Sequence, residues 1–232
     1  LWQELQQEPV EGFDGIMAAS LRFLSDQELR LFVRLSVFTI RFEWKAAKAL
    51  LPEVPRADKL LDQVVRQALL DFDGVRHGYH ALVRQYAYAQ LQEMEEDVRN
   101  THRLAAEYLQ AKITDPDQGG TPEEILEHVD QWERAEEWET FARWANALAG
   151  SLDKLGYWGE IDQRLERALV GLRNLQEADK LASVLWNDRG TMALRLAQWG
   201  KAIGYFDRSL EIKERMGDIH GMAQTYDNLG TV

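Results

Sequence analysis

Apolar residues recur every three or four positions along most of the chain, beginning near Ile16. This spacing places apolar side chains on one face of a helix, so the pattern predicts amphipathic α-helices rather than strands. The segment Ser25–Glu28, SDQE, has the residues of a capping box and predicts a helix that begins there. Two more helices are predicted in EWKAAKALLP and RADKLLDQVVRQALL.

The helical period is interrupted between Leu70 and Leu82. Asp73 and Gly74 form a dipeptide that favours a tight turn between antiparallel strands, and the helical pattern resumes at Leu82. Three helices, a small hairpin and a further helix are the element order of a winged helix. The sequence therefore predicts an all-α protein with one small β-hairpin.

A loop is indicated by ITDPDQGGTPEE, where proline, glycine and aspartate are concentrated. A helix restarts at Thr121 and Pro122, with proline in its first position and acidic residues near its positive end. We expect the junction between two domains to lie between about residues 96 and 122.

The second half of the chain repeats itself with a period near 40 residues. Offsets of 40 and 41 residues align Trp186 with Tyr226, Gly190 with Gly230, Thr191 with Thr231, Trp158 with Trp199, and Leu169 with Leu210. Such a period, built from two helices, is typical of stacked helical repeats that form an α-α superhelix. We expect Gly190 and Ala202 to let two helices approach while Trp186, Trp199 and Phe206 fill the space between them.

Composition narrows the classes of function. The 232 residues include 27 basic and 39 acidic side chains, and this net charge of −12 has the wrong sign for a protein that binds nucleic acid by neutralising phosphates. The lack of cysteine excludes disulfides, thiolate metal ligands and cysteine nucleophiles. No apolar run approaches the roughly 18 residues of a membrane span, and the start has no signal-peptide pattern. We expect a cytoplasmic protein that binds neither nucleic acid nor membranes.

The ends of the sequence suggest a piece of a longer protein. The chain begins without methionine, and the last repeat stops after its first helix. We expect Tyr226 and Leu229 to lack a covering helix, which favours fraying or self-association into a homo-oligomer.

The sequence contains none of the common catalytic motifs considered below. The motifs GxxxxGK[ST], GxGxxG, HExxH and GxSxG do not occur, and the acidic clusters are those of solvated helix faces. His77 and His80 are close in sequence, but a metal site needs a third ligand and none is nearby. We expect His77 to be exposed on the hairpin. His80 either caps or packs at the next helix start or has a functional role.

The region from about residue 20 to 95 resembles the winged-helix domain of STAND-class signalling ATPases, the NB-ARC group. The helix spacing, the hairpin and the final YHALVRQYA carry this resemblance. The family has a Met-His-Asp triplet whose histidine contacts the β-phosphate of bound ADP, and this sequence has Tyr79-His80-Ala81. The resemblance implies that His80 senses the phosphate of ADP held in a nucleotide-binding module of the longer protein.

Residues 138 to 232 resemble tetratricopeptide repeats (TPR), most specifically from 183 onward. The signature positions are occupied by Trp186, Gly190, Ala202, Phe206 and Ser209. Arg189 and Ala193 depart from the usual leucine and aromatic residue. The positions that face the groove in this family, where a peptide or protein ligand binds, are Asn187, Thr191, Arg195, Asp227 and Thr231. The alternative is that these polar side chains merely solvate the groove.

These resemblances together predict a fragment of a STAND-type ATPase. Its parts would be the tail of a nucleotide-binding module at residues 1–20, a winged helix at 21–96, connecting helices at 97–137 and TPR-like repeats at 138–232. The fragment itself would bind no cofactor and catalyse no reaction, while the longer protein would use ADP and ATP. The alternatives are a TPR scaffold without an ATPase and a DNA-binding regulator. The predicted recognition helix, RADKLLDQVVRQALL, has a nearly neutral face, which disfavours DNA.

Overall fold

The computed structural model describes residues 11–94, 97–173, 175 and 178–232. Residues 1–10 of the predicted module tail lie outside the described residues. The described elements confirm an all-α fold with one small β-hairpin. The chain divides into two compact units, with the boundary between Gln131 and Trp132. This division falls inside the segment 97–137 that the sequence assigns to connecting helices.

The elements that begin before Gln131 are α1 (Glu11–Leu21), α2 (Asp26–Leu35), α3 (Lys45–Leu50), α4 (Ala57–Arg66), β1 (Asp71–Phe72), β2 (His77–Gly78), α5 (Ala81–Glu93), α6 (Val98–Ile113) and α7 (Pro122–Arg134). The elements that follow are α8 (Trp138–Leu152), a 3-10 turn (Asp153–Leu155), α9 (Trp158–Leu172), α10 (Asp179–Arg195), α11 (Trp199–Met216) and α12 (Ile219–Leu229).

Helix α2 is central to the first unit. The predicted capping box is present: Ser25 caps the amide of Glu28, and the Glu28 carboxylate accepts from the Ser25 backbone N–H at 2.7 Å. The helix buries Leu31, Phe32 and Val33 completely, and it contacts α3, α4 and α5. The element order α2, α3, α4, hairpin, α5 is the one that the sequence predicts for a winged helix.

The hairpin is short but tightly defined. Strands β1 and β2 pair in antiparallel fashion with Phe72 opposite His77. Gly74 has φ +99°, a conformation that glycine adopts without steric cost. The Asp73 carboxylate accepts from the backbone N–H groups of Val75 and Arg76 at 2.9 and 2.8 Å, which closes the turn.

The expectation that His77 is exposed is wrong. Its side chain is only 9% exposed, and its ring stacks between Phe42, at 6.1 Å, and Phe72, at 4.7 Å. The backbone of Phe42 pairs with that of His77 through hydrogen bonds of 2.9 and 2.8 Å. This pairing turns the imidazole inward, and burial lowers its pKa.

The second unit consists of helix pairs, α8 with α9 and α10 with α11, followed by α12. Trp158 and Trp199, which the 41-residue offset aligns, are the first residues of α9 and α11. A Cβ atom on Gly190 would lie 2.3 Å from Cε1 of Phe206, so glycine is required for the close approach of α10 and α11. Trp199 is 51% exposed, so the expectation that it fills the space between these helices is wrong.

Helix α12 is only partly covered. Tyr226 is 57% exposed, as expected. Leu229, by contrast, packs against the cluster of Ala193, Ala202 and Phe206, so the preceding helix pair already covers much of its surface.

Candidate functional site

His80 lies where the hairpin leads into α5. It is the N-cap residue of that helix, with an extended backbone (φ −65°, ψ 141°), and its exposed side chain makes no capping hydrogen bond. The first turn of α5 contains no acidic residue. The imidazole is therefore accessible beside a helix N-terminus, where the backbone dipoles favour negative charge.

The neighbour of His80 anchors this segment. The Tyr79 hydroxyl donates a hydrogen bond to the backbone carbonyl of Phe32 in α2, and the two rings lie 5.6 Å apart. Burial raises the pKa of Tyr79 well above its ordinary value, so the hydroxyl keeps its proton. Because consecutive side chains of extended backbone point to opposite sides, the partly buried Tyr79 turns His80 outward.

The five predicted groove residues lie on or just after α10 and α12. Asn187, Thr191 and Arg195 share one face of α10, and Arg195 donates to Asp153 at 3.2 Å. Asp227 and Thr231 are exposed. The structure therefore places Asn187, Thr191 and Arg195 on α10, Asp227 on α12 and Thr231 just after α12.

Asn187 makes contacts between two repeats. Its side-chain oxygen accepts from the Thr225 hydroxyl at 3.2 Å and from the Asn228 amide at 3.1 Å, both on α12. Thr225 also accepts from Nζ of Lys213 at 2.8 Å. Next to Asn187, burial raises the pKa of Asp188 to about 6, against the opposing effects of Asn187 and Lys213. This polar cluster fixes α12 against the preceding helix pair.

Arg189, which replaces the leucine usual in the repeat family, has a structural role. Its guanidinium is 5% exposed and binds the Asp162 carboxylate of α9 at 2.7 Å. It also donates to the Tyr205 hydroxyl of α11 at 2.9 Å and lies 4.3 Å from the centre of that ring. One side chain thus connects α9, α10 and α11 through polar contacts where leucine would pack by apolar contact alone.

A cavity between α8 and α10 was missed by the sequence reasoning. A cavity of about 500 Å³ is lined by Glu139, Arg143 and Asn146 of α8, by Lys180, Leu181 and Val184 of α10, and by residues of the intervening segment. The side-chain oxygen of Asn146 is buried without a hydrogen-bond partner among the described residues. Asn146 precedes Asn187 by 41 residues, the same offset that aligns Trp158 with Trp199. Extending that offset to the first helices would have identified it.

The described residues contain neither a metal-binding cluster nor a membrane-spanning helix. No group of three or more histidine, aspartate or glutamate side chains is arranged to hold a metal ion. No described helix combines the length and the apolar character required to cross a membrane.

The fold and this site define a helical repeat protein with a hairpin-containing first unit. Among solved structures, the chain is similar to a Signal Transduction ATPase with Numerous Domains (STAND) protein with a tetratricopeptide repeat sensor from Pyrococcus horikoshii. The TM-score is 0.50 at 15% sequence identity, and the match covers 96% of this chain but only 37% of that protein. Neither the protein-family models nor the curated proteins gave a match. The likeness is one of fold.

Proposed function

We propose that this chain is the winged-helix hinge and the start of the TPR sensor arm of a STAND-type signal-transduction ATPase. A protein or peptide bound on the repeats biases an ADP/ATP switch, and the chain alone does not hydrolyse ATP. The observation that carries this proposal is the fold match over 96% of the chain, which includes both units. A bound partner shifts such a switch only by its differential affinity for the two states.

The environment of His80 supports its assignment as the phosphate sensor. The ring is exposed and makes no capping bond, so an imidazole N–H is available to donate to a phosphate oxygen. Ala81 replaces the aspartate of the family triplet, which leaves His80 without that carboxylate. We expect a phosphate contact made by the imidazole and the start of α5.

The groove supports the assignment of the repeats to partner binding. Asn146 has a buried oxygen without a hydrogen-bond partner among the described residues, and Lys180 and Leu181 line the same cavity. An extended peptide would supply backbone N–H groups to the asparagine oxygen and apolar side chains to the leucines. The partner is therefore a protein or peptide segment.

The test is the retention of ADP by the full protein that contains this chain, with His80→Ala compared with the wild type. We expect ADP to dissociate roughly 10-fold faster from the variant, because one hydrogen bond to a charged group is lost. The control is His220→Ala, since His220 is also exposed near a helix start, in α12.

Three outcomes would contradict the proposal. If the protein sequence that precedes Leu1 has no P-loop, the repeats act as a binding scaffold without an ATPase. Unchanged ADP release in His80→Ala would remove the sensing role and leave His80 as a helix-start residue only. Tight, salt-sensitive DNA binding by this chain would instead favour a regulator of transcription.

A further inference from the structure

Helix α7 is attached to the first unit through polar side chains. Glu124, Glu127 and Gln131 lie on one face of the helix and are 3%, 5% and 0% exposed. We call these three residues the polar face of α7. The apolar core cluster of the first unit extends from Met17 to Leu109 and takes no residue from α7 among the described residues.

The start of the polar face binds the hairpin. The Glu124 carboxylate accepts from Nζ of Lys112 in α6 at 2.8 Å and lies 3.5 Å from the Arg76 guanidinium in the hairpin turn. Lys112 also binds Glu43, just before α3, at 2.5 Å, and this hydrogen bond lowers the pKa of Glu43. Two cations and two carboxylates therefore join α7 to the hairpin, α6 and the start of α3.

The rest of the polar face binds the segment that follows α2 and, in α6, His102. The Glu127 carboxylate accepts from the Thr39 backbone N–H at 2.8 Å and from the Thr39 hydroxyl. The Gln131 amide donates to the Val37 carbonyl at 2.8 Å, and its oxygen lies 2.6 Å from Nδ1 of His102. The other ring nitrogen of His102 lies 3.0 Å from the Tyr88 hydroxyl of α5. The polar face thus contacts the hairpin directly at Arg76, and it is linked to α5 only through His102 of α6, which pairs with Tyr88.

Contacts of this kind favour a reversible attachment. Satisfied buried polar groups select one geometry, but water replaces most of their hydrogen bonds on release, so their net contribution to stability is modest. Release of the polar face would leave the apolar core from Met17 to Leu109 intact. An attachment that is weak relative to the core can open without global unfolding.

We propose that α7 is a releasable latch, in which the polar face docks on the first unit and its release frees the hairpin at Arg76 and the His102–Tyr88 pair that leads to α5. The helix runs unbroken from Pro122 to Arg134 and so crosses the boundary at Gln131. Any effect of this release on phosphate sensing by His80 rests on the function proposed above, whereas the docking of α7 does not.

Hydrogen exchange of this chain, followed by mass spectrometry without nucleotide, tests the latch. In the wild type we expect the α7 amides to exchange faster than those of α2, and faster still at high ionic strength, which weakens the Glu124 ion pairs. In Glu124→Gln/Glu127→Gln, exchange in α7 should rise roughly 10-fold or more, because bonds to charged groups are lost. The amides of Phe42 and His77 should follow, while α2 and α4 stay unchanged.

Two control variants make the result specific. Glu139→Gln removes an exposed pair with Arg143 in α8, and Arg41→Gln removes the exposed pair with Asp73 at the hairpin. Neither should accelerate exchange in α7. The latch is overturned if either control accelerates α7 exchange as much as the double variant does. It is also overturned if the α7 and α2 amides of the wild type exchange at the same rate at both ionic strengths. The wild-type arm decides the question even if the double variant fails to fold. Because no nucleotide is involved, these outcomes are independent of the ADP test.

Discussion

Single side chains explain where this chain departs from the repeat pattern. Leucine at position 189 would pack against its neighbours, but the arginine found there is buried with Asp162 and Tyr205. A buried arginine is acceptable only with such partners, because an unpaired charge in this position carries a large desolvation penalty. The unusual residue and its two partners therefore form one structural unit.

We predict that Arg189→Leu lowers the free energy of unfolding of the second unit by about 2 kcal/mol, although leucine is the usual residue. The change removes the ion pair with Asp162 and the contact with the Tyr205 ring. Urea denaturation of the variant measures the loss. Arg143→Leu, which removes an ion pair whose side chains are 68% and 62% exposed, should cost less than about 0.5 kcal/mol. If the two variants lose equal stability, Arg189 contributes no more than a surface pair.

At the scale of elements, a recurring turn ends several helices. After α10, Ala197 has φ 55°, and its N–H bonds to Leu194 while that of Gln198 bonds to Ala193. After α11, Gly217 has φ 71° and the same hydrogen bonds are formed. The Gly217 N–H donates to the Glu214 carbonyl, and the Asp218 N–H donates to the Lys213 carbonyl. This is the Schellman motif, whose left-handed residue is usually glycine. The turn after α10 therefore holds alanine in a conformation that costs roughly 1 kcal/mol.

We predict that exchanging glycine and alanine at these two turns changes the free energy of unfolding in opposite directions. Gly217→Ala should lower the free energy of unfolding by about 1 kcal/mol through backbone strain alone, because no atom lies within 4 Å of the added Cβ. Ala197→Gly should raise the free energy of unfolding by up to about 0.5 kcal/mol, because it removes the backbone strain at this position. The increase is smaller than the strain itself, since glycine also makes the unfolded chain more flexible. Thermal denaturation of both variants measures the signs. Two changes of the same sign would contradict the strain argument.

At the scale of the whole molecule, the two units carry buried groups that respond to acid in opposite directions. In the first unit, burial lowers the pKa of His128 to about 4, and it also lowers that of His77. In the second unit, burial raises the pKa of Asp188 to about 6. As the pH falls, the folded chain therefore protonates these histidines at lower pH than the unfolded chain does. It protonates Asp188 at higher pH than the unfolded chain does.

We predict that acidification from neutral pH destabilises the first unit and stabilises the second. Below pH 6.5 the unfolded chain protonates His128 while the folded chain does not until about pH 4, so stability falls as the pH falls through this window. At Asp188 the folded chain takes up the proton near pH 6, before the unfolded chain, so stability rises as the pH falls. Each effect amounts to up to about 3 kcal/mol.

Urea denaturation at several pH values, monitored by circular dichroism, tests these signs through two variants. Asp188→Asn should remove the stabilising response to acid, and His128→Gln should remove the destabilising one. If the free energy of unfolding of both variants changes with pH as that of the wild type does, neither side chain is responsible for the response to acid.

The sequence by itself determined the fold class, the capping box, the hairpin and the 41-residue register of the repeats. These features are set by local chemistry: the period of apolar residues, the Ser25 cap, the Asp73-Gly74 turn and the recurring tryptophans at helix starts. The register is a recurrence of local patterns, and the other features depend on residues that are close in the chain, so a single sequence displays them all. His80 could be singled out for the same reason, because its position at a helix start is local.

Only the tertiary structure decided which polar residues are buried and what they bind. His77 is turned inward by Phe42, a residue 35 positions away, so no local pattern could show it. Glu124, Glu127 and Gln131 look like a solvated helix face in sequence, yet their partners lie in the segment after α2, on α6 and in the hairpin. Burial is a property of what surrounds a side chain, and those surroundings come from segments distant in sequence.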